Sequence, residues 1–103
     1  MLVFENKQKR FITRSIFEHL YDELKVTLWN LIDVQLNENL ELDYLQVFEL
    51  KIVGQKQQII HRQEVPERER TYMISLQQAK PIKATVWCLD DGENQMMLYP
   101  EDY

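Results

Sequence analysis

The sequence is poor in the residues that many small catalytic and secreted domains depend on. It has one cysteine, Cys88, so no disulfide can close within the chain. A reducing compartment, the cytoplasm, is the setting this implies. It has two glycines, Gly54 and Gly92, too few for a phosphate-cradling glycine loop, and no nucleophile elbow. No apolar run approaches the roughly 20 residues needed to cross a bilayer, and the opening "MLVF" is far too short for a signal-peptide core. The two histidines, His19 and His61, are scattered relative to Cys88 and give no zinc-ligand spacing. Bases are missing after Lys83, whereas Asp90, Asp91, Glu93, Glu101 and Asp102 all follow it.

What is present is an ordinary globular composition. The 103 residues are 45% hydrophobic and 28% charged, enough for a single domain, 1–103, that buries about two-thirds of its unfolded surface. The net charge of −5 is unevenly spread. "KQKRFITR", residues 7–14, carries Lys7, Lys9, Arg10 and Arg14 and no acid. An acidic chain repels polyanions over most of its surface, so nucleic-acid binding is disfavoured. The basic start reads instead as charges that solvate an edge strand or face the acidic end of the chain.

The pattern along the chain is that of one helix and several strands. "RFITR", residues 10–14, alternates and is rich in β-formers, predicting a first strand. Ser15 followed by Glu18 has the form of a capping box. From there Ile16, Phe17, Leu20, Tyr21, Leu24, Leu28, Leu31 and Ile32 fall on one helical face, predicting a long helix to about Leu36, ended by "NEN". "YLQVFELKIV" (44–53) and "KQQIIHRQEV" (56–65) flank Gly54-Gln55, a two-residue hairpin of type II′ form. Counting back from that turn pairs Leu50 with Ile59, Phe48 with His61 and Val47 with Arg62. "RTYMISL" (70–76), "ATVWCLD" (84–90) and "QMMLY" (95–99) complete the order β-α-β-β-β-β-β. "DDGEN" forms the last turn. The fold class is α+β, one long N-terminal helix packed on one face of a mainly antiparallel sheet.

A helix covers only one face of such a sheet, yet several strands are apolar on both. Val86 and Cys88 alternate with Trp87 and Leu89, and the smaller pair suits the helix side. This predicts an open platform carrying Trp87 and Leu89, with Tyr72 and Met97 as neighbours. Trp29 falls outside the helix stripe, either lapping over the sheet edge or contacting another chain.

No constellation for catalysis emerges. His61 sits mid-strand opposite Phe48, and Glu64, three residues on, points to the other face, so the expected role is a packed, hydrogen-bonded sheet histidine. Cys88 lies in an apolar strand and reads as core. The acids of "DDGEN" form a turn before they form a cation site. No metal, cofactor or catalytic residue is therefore assigned.

Four segments, "RFITRSI", "LDYLQVFEL", "IIHRQEVPE" and "VWCLDDGENQMMLYPEDY", resemble the domain of unknown function 960 family, small proteins of Gram-positive bacteria and their phages. The resemblance spans nearly the whole chain and is most specific in "LQVFEL" and "HRQEVP". It implies a cytoplasmic bacterial or phage setting and brings no assigned activity or catalytic residue. The residues themselves favour a non-enzymatic interaction module that binds a protein partner or a second copy through the sheet face left open, with no membrane role. The alternative is a small ligand-binding protein or enzyme with its site at the helix–sheet boundary near His61. A nucleic-acid accessory protein using "KQKRF" as a basic edge ranks third.

Overall fold

The computed structural model of the chain describes residues 9–103. Lys7 and the "MLVF" start lie outside them. The elements in order are β1 (Lys9–Ile12), α1 (Arg14–His19), α2 (Asp22–Asn37), β2 (Leu45–Val53), β3 (Lys56–Gln63), β4 (Arg68–Ile74), β5 (Ala84–Asp90) and β6 (Asn94–Leu98), then a C-terminal 3-10 turn, Pro100–Asp102. The six strands form one sheet in the order β1-β6-β5-β2-β3-β4. Every pairing is antiparallel except that of β1 with β6. Both helices cover one face, which is the α+β sandwich expected.

The expected single helix is two. Leu20 (φ −98°, ψ 131°) and Tyr21 (φ −59°, ψ 142°) are extended and separate α1 from α2. The i, i+4 burial of Ile16, Leu20, Leu24, Leu28 and Ile32 continues across the break, so their spacing alone does not reveal it, whereas Phe17 and Tyr21, expected on the same stripe, are exposed beside the break. The charges do mark it. His19 closes α1, and Asp22 with Glu23 opens α2, each placed to complement a helix dipole. Glu23 has a second role, accepting backbone N–H bonds from Gln77 (2.6 Å), Gln78 (2.8 Å) and Ala79 (2.9 Å). Those amides, Gln77 first, hold its carboxyl below the usual range and tie the start of α2 to the segment between β4 and β5.

The N-cap of α1 is Thr13, not Ser15. Thr13 Oγ1 accepts from Ile16 N at 3.3 Å and donates to Asp102 Oδ2 at 2.8 Å, joining the helix start to the C-terminal turn. At the other end, α2 stops as "NEN" predicts. Asn39 takes φ +60°, while Asn39 N donates to Leu36 O and Leu40 N to Gln35 O, the two bonds of a Schellman motif.

The Gly54-Gln55 hairpin has the register that its turn length dictates: Leu50 faces Ile59, Phe48 faces His61 and Val47 faces Arg62. Gly54 has φ +61° and Gln55 has no positive φ, as a type II′ turn requires. In the last turn Asp91 Oδ1 accepts from Glu93 N and Asn94 N, and Asp90 Oδ1 from Gly92 N. These acids close the turn. The core lies between the helices and β2, β3, β5 and β6, where Ile16, Leu24, Leu28, Ile32, Phe48, Leu50, Ile59, Val86, Cys88 and Met97 are all buried. Each such large side chain contributes about 1.5–3 kcal/mol on leaving water.

Candidate functional site

Two places merit a functional reading, one inside and one outside. Inside, the helix-covered face of β2 and β3 is not uniformly apolar. Alternation puts Gln57, Ile59, His61 and Gln63 of β3 on that face, with Gln46, Phe48 and Leu50 of β2, and all seven are buried. Burial obliges each carboxamide and the imidazole to find partners. His61 lies over the ring of Phe48 at 4.2 Å, inclined 25°. Its Nε2 is 2.7 Å from Gln46 Oε1, and its Nδ1 is 3.3 Å from Gln35 Nε2 on α2.

The surrounding bonds settle which nitrogen carries the proton. Gln46 Nε2 donates to Asp43 O and Gln63 Oε1, leaving Oε1 as the acceptor that faces His61. Gln35 Oε1 accepts from Arg68 Nε and Nη2, which leaves its Nε2 as donor. His61 is therefore the neutral Nε2–H tautomer, donating to Gln46 and accepting from Gln35. Gln63 extends the network to Glu41 O and Pro66 O. Pro66 follows a cis peptide bond.

This arrangement depresses the basicity of His61. Burial first, then the charges of Arg68 and Arg70, lower its pKa from the ordinary 6.5 to about 3. A proton on Nδ1 would face the Gln35 amide donor, and rotating that amide would break its two bonds from Arg68. An imidazole so poised is a poor general base near neutrality. Its ring nitrogens are bonded to carboxamides, and no hydroxyl, thiol or carboxylate is among their partners. Cys88 is no nucleophile either, since burial pushes its thiol pKa up. The structure does bring His61 and Gln63 together, with Asp43 among the partners of Gln63. However, Asp43 spends its carboxylate on Tyr44 N and Val65 N, and Glu64 is exposed. The network is built for mutual satisfaction.

Outside, the sheet presents the face away from the helices. Trp87 and Leu89 lie there, half-buried, while Val86 and Cys88 are buried beneath the helices. Two expected neighbours do not. Met97 pairs with Cys88 rather than Trp87 and is wholly buried in the core. Tyr72 pairs with core-facing Ile59, and it packs against the helix side from β4. Trp29 also packs against the core, at the β1 edge, with the Arg10 guanidinium 4.7 Å over its ring. Arg10 is held by Asp33 and Gln95, so one charge of the basic start is spent on structure.

The residues missed are Phe11, Leu45 and Met96. The register aligns Phe11 with Met96, Met96 with Leu89 and Leu89 with Leu45, an apolar row across four strands. Trp87 and Val47 sit beside it, and Tyr103 meets Trp87 edge-on at 6.0 Å. Farther along, the face turns charged. Arg62 pairs with Glu49 and, at 3.9 Å, with Glu69. Its Nε is buried without an acceptor among the described residues.

A family profile described as a Staphylococcal protein of unknown function (DUF960) matches residues 9–102. The chain belongs to this family. A crystal structure of a protein of unknown function from Enterococcus faecalis is similar to this DUF960 member over 96% of this chain and 93% of that one. The two have a TM-score of 0.84 and 20% sequence identity, a likeness of fold. Comparison with curated proteins gives no match. In this DUF960 chain the two most specific segments of the resemblance build the buried network: "LQVFEL" supplies Gln46 and Phe48, and "HRQEVP" supplies His61, Gln63 and Pro66.

Proposed function

We propose that this DUF960 protein is a non-enzymatic interaction module of the bacterial cytoplasm that docks a protein through the apolar end of its open sheet face. The observation that carries this reading is the row Phe11–Met96–Leu89–Leu45, flanked by Trp87 and Val47. Contiguous apolar surface of this kind, anchored by a tryptophan and rimmed by charge, marks binding sites on soluble proteins. No helix among the described residues is long and apolar enough to cross a membrane. The inward network around His61 gives an enzyme reading no base and no nucleophile.

The test is affinity capture from host cytosol after nuclease treatment, with Trp87→Ala and Leu89→Asp beside the wild type. A protein held by the wild type and lost with both folded variants supports the reading. Capture that both variants retain, or that vanishes with nuclease, refutes it.

A further inference from the structure

The open face is asymmetric in charge as well as apolar in the middle. Lys9 is exposed on β1, at one edge of the sheet. Glu64 and Glu67 are exposed in the β3–β4 turn, at the opposite edge. None of the three forms an ion pair with another described residue. Between them lie β6, β5, β2 and β3, with Trp87 and Leu89 on β5 directly alongside Val47 and Leu45 on β2.

An isologous contact demands that a surface complement itself under a two-fold axis. Consider an axis lying along the strands between β5 and β2, with two open faces packed together. Each β5 then lies over the partner's β2, so Trp87 and Leu89 cover the partner's Val47 and Leu45 at their own levels. Each β1 lies over the partner's β4 end, which sets Lys9 against the acidic turn. An axis running across the strands overlays each strand on its own copy and sets Lys9 toward the Thr13 end of the partner's β1, where the Asp102 carboxylate is already held by Thr13 Oγ1 and Tyr99 N. Glu64 and Glu67 have no ion-pair partner among the described residues, so charge favours the first arrangement. From this we infer that the occupant of the open face is a second copy of this chain, in a face-to-face two-fold dimer of aligned sheets. This rests on the interaction reading above and narrows it.

The net charge of −5 opposes such pairing only weakly at physiological ionic strength, where repulsion between exposed charges is screened over about 8 Å. Two Lys9–acid contacts per dimer act at close range.

Sedimentation velocity from roughly 1 to 300 µM reads the dimer directly. The wild type is expected to pass from monomer to dimer. Trp87→Ala is expected to weaken association at least about tenfold. Lys9→Glu should weaken it and raise its salt sensitivity, with circular dichroism unchanged because Lys9 is exposed. Lys9→Glu with Glu67→Lys in the same chain should restore it. Mixing the two single variants should also restore it, since both contacts of the mixed dimer are then opposite in sign. A wild type that stays monomeric overturns the inference, as does a dimer indifferent to Lys9→Glu or unrescued by Glu67→Lys. If the chain is monomeric but Trp87→Ala still abolishes capture of another protein, the second copy is refuted and the interaction face stands. If Trp87→Ala changes neither, both readings fall.

Discussion

Acid should destabilise this protein through His61, earlier than its carboxylates alone would. In the folded chain His61 has a pKa of about 3, against an ordinary 6.5. The unfolded chain therefore takes up a proton first. The stability linked to this group is whole above pH 6.5, and it declines as pH falls toward 3. Each pH unit between those values removes about 1.36 kcal/mol. The loss is about 2 kcal/mol at pH 5 and on the order of 5 kcal/mol by pH 3. A domain of this size has roughly 5–15 kcal/mol in all, so the effect is large. Urea denaturation at pH 7, 6 and 5 measures it, with His61→Gln as control, because glutamine cannot titrate there. The wild type should lose about 2 kcal/mol more than the variant between pH 7 and pH 5. If both lose the same amount, His61 titrates like an exposed histidine and the carboxamide network does not hold it neutral.

Leu24, buried beneath the sheet, should cost about 2–5 kcal/mol when changed to alanine, through the cavity left. Thr13→Ala should cost about 1 kcal/mol by removing the α1 cap, and Ser15→Ala should cost less than Thr13→Ala; chemical denaturation ranks all three. Cys88 should react with an aromatic disulfide reagent only as fast as the chain unfolds, since its thiol is buried and its pKa raised; rapid labelling under native conditions would contradict the placement of β5. Glu23→Gln should speed hydrogen exchange at the amides of Gln77, Gln78 and Ala79, with little change in exchange at the core of β2.

Local geometry made part of this fold readable. A two-residue turn leaves the β2–β3 register no freedom, and the partners counted from Gly54-Gln55 are those found. The alternation that put Val86 and Cys88 under the helices also held. The register of the acidic turn was not readable. Asp90 pairs with Gln95, so a residue of β6 shares the face of the β5 residue whose number sums with its own to the same total. That sends Met97 to the side of Cys88 and Met96 to the side of Leu89. Composition of the turn alone does not fix that parity. Tyr72 was misplaced for the same reason, because the β3–β4 turn sets its phase. The helix break escaped a reading based on apolar spacing because the stripe is continuous through it. Asp22 and Glu23 following His19 held the signal.

The buried glutamines explain how a sheet with apolar residues on both faces keeps one register. A one-residue slip of β2 would turn Leu45 and Val47 beneath the helices, a swap of apolar for apolar that hydrophobicity alone resists weakly, and with them Glu49, whose carboxylate resists burial. The same slip would carry Gln46 away from His61 and Gln63 and leave His61 Nε2 and Gln63 Oε1 buried without that partner. Each such loss costs roughly 1–3 kcal/mol, and six donor–acceptor relations converge on Gln46 and Gln63 alone. At the Leu45–Val47 end of β2 the polar network therefore adds the discrimination that the apolar pattern lacks there, a role best attested for buried polar groups that set register. That role has a consequence for the outer surface. Once register is pinned from inside, Leu45, Val47, Trp87 and Leu89 are free to be apolar outside without blurring which face the helices cover. Polarity inside is what allows a sticky face outside. The histidine that looks most like a catalytic residue in the sequence steadies the open sheet face from beneath it.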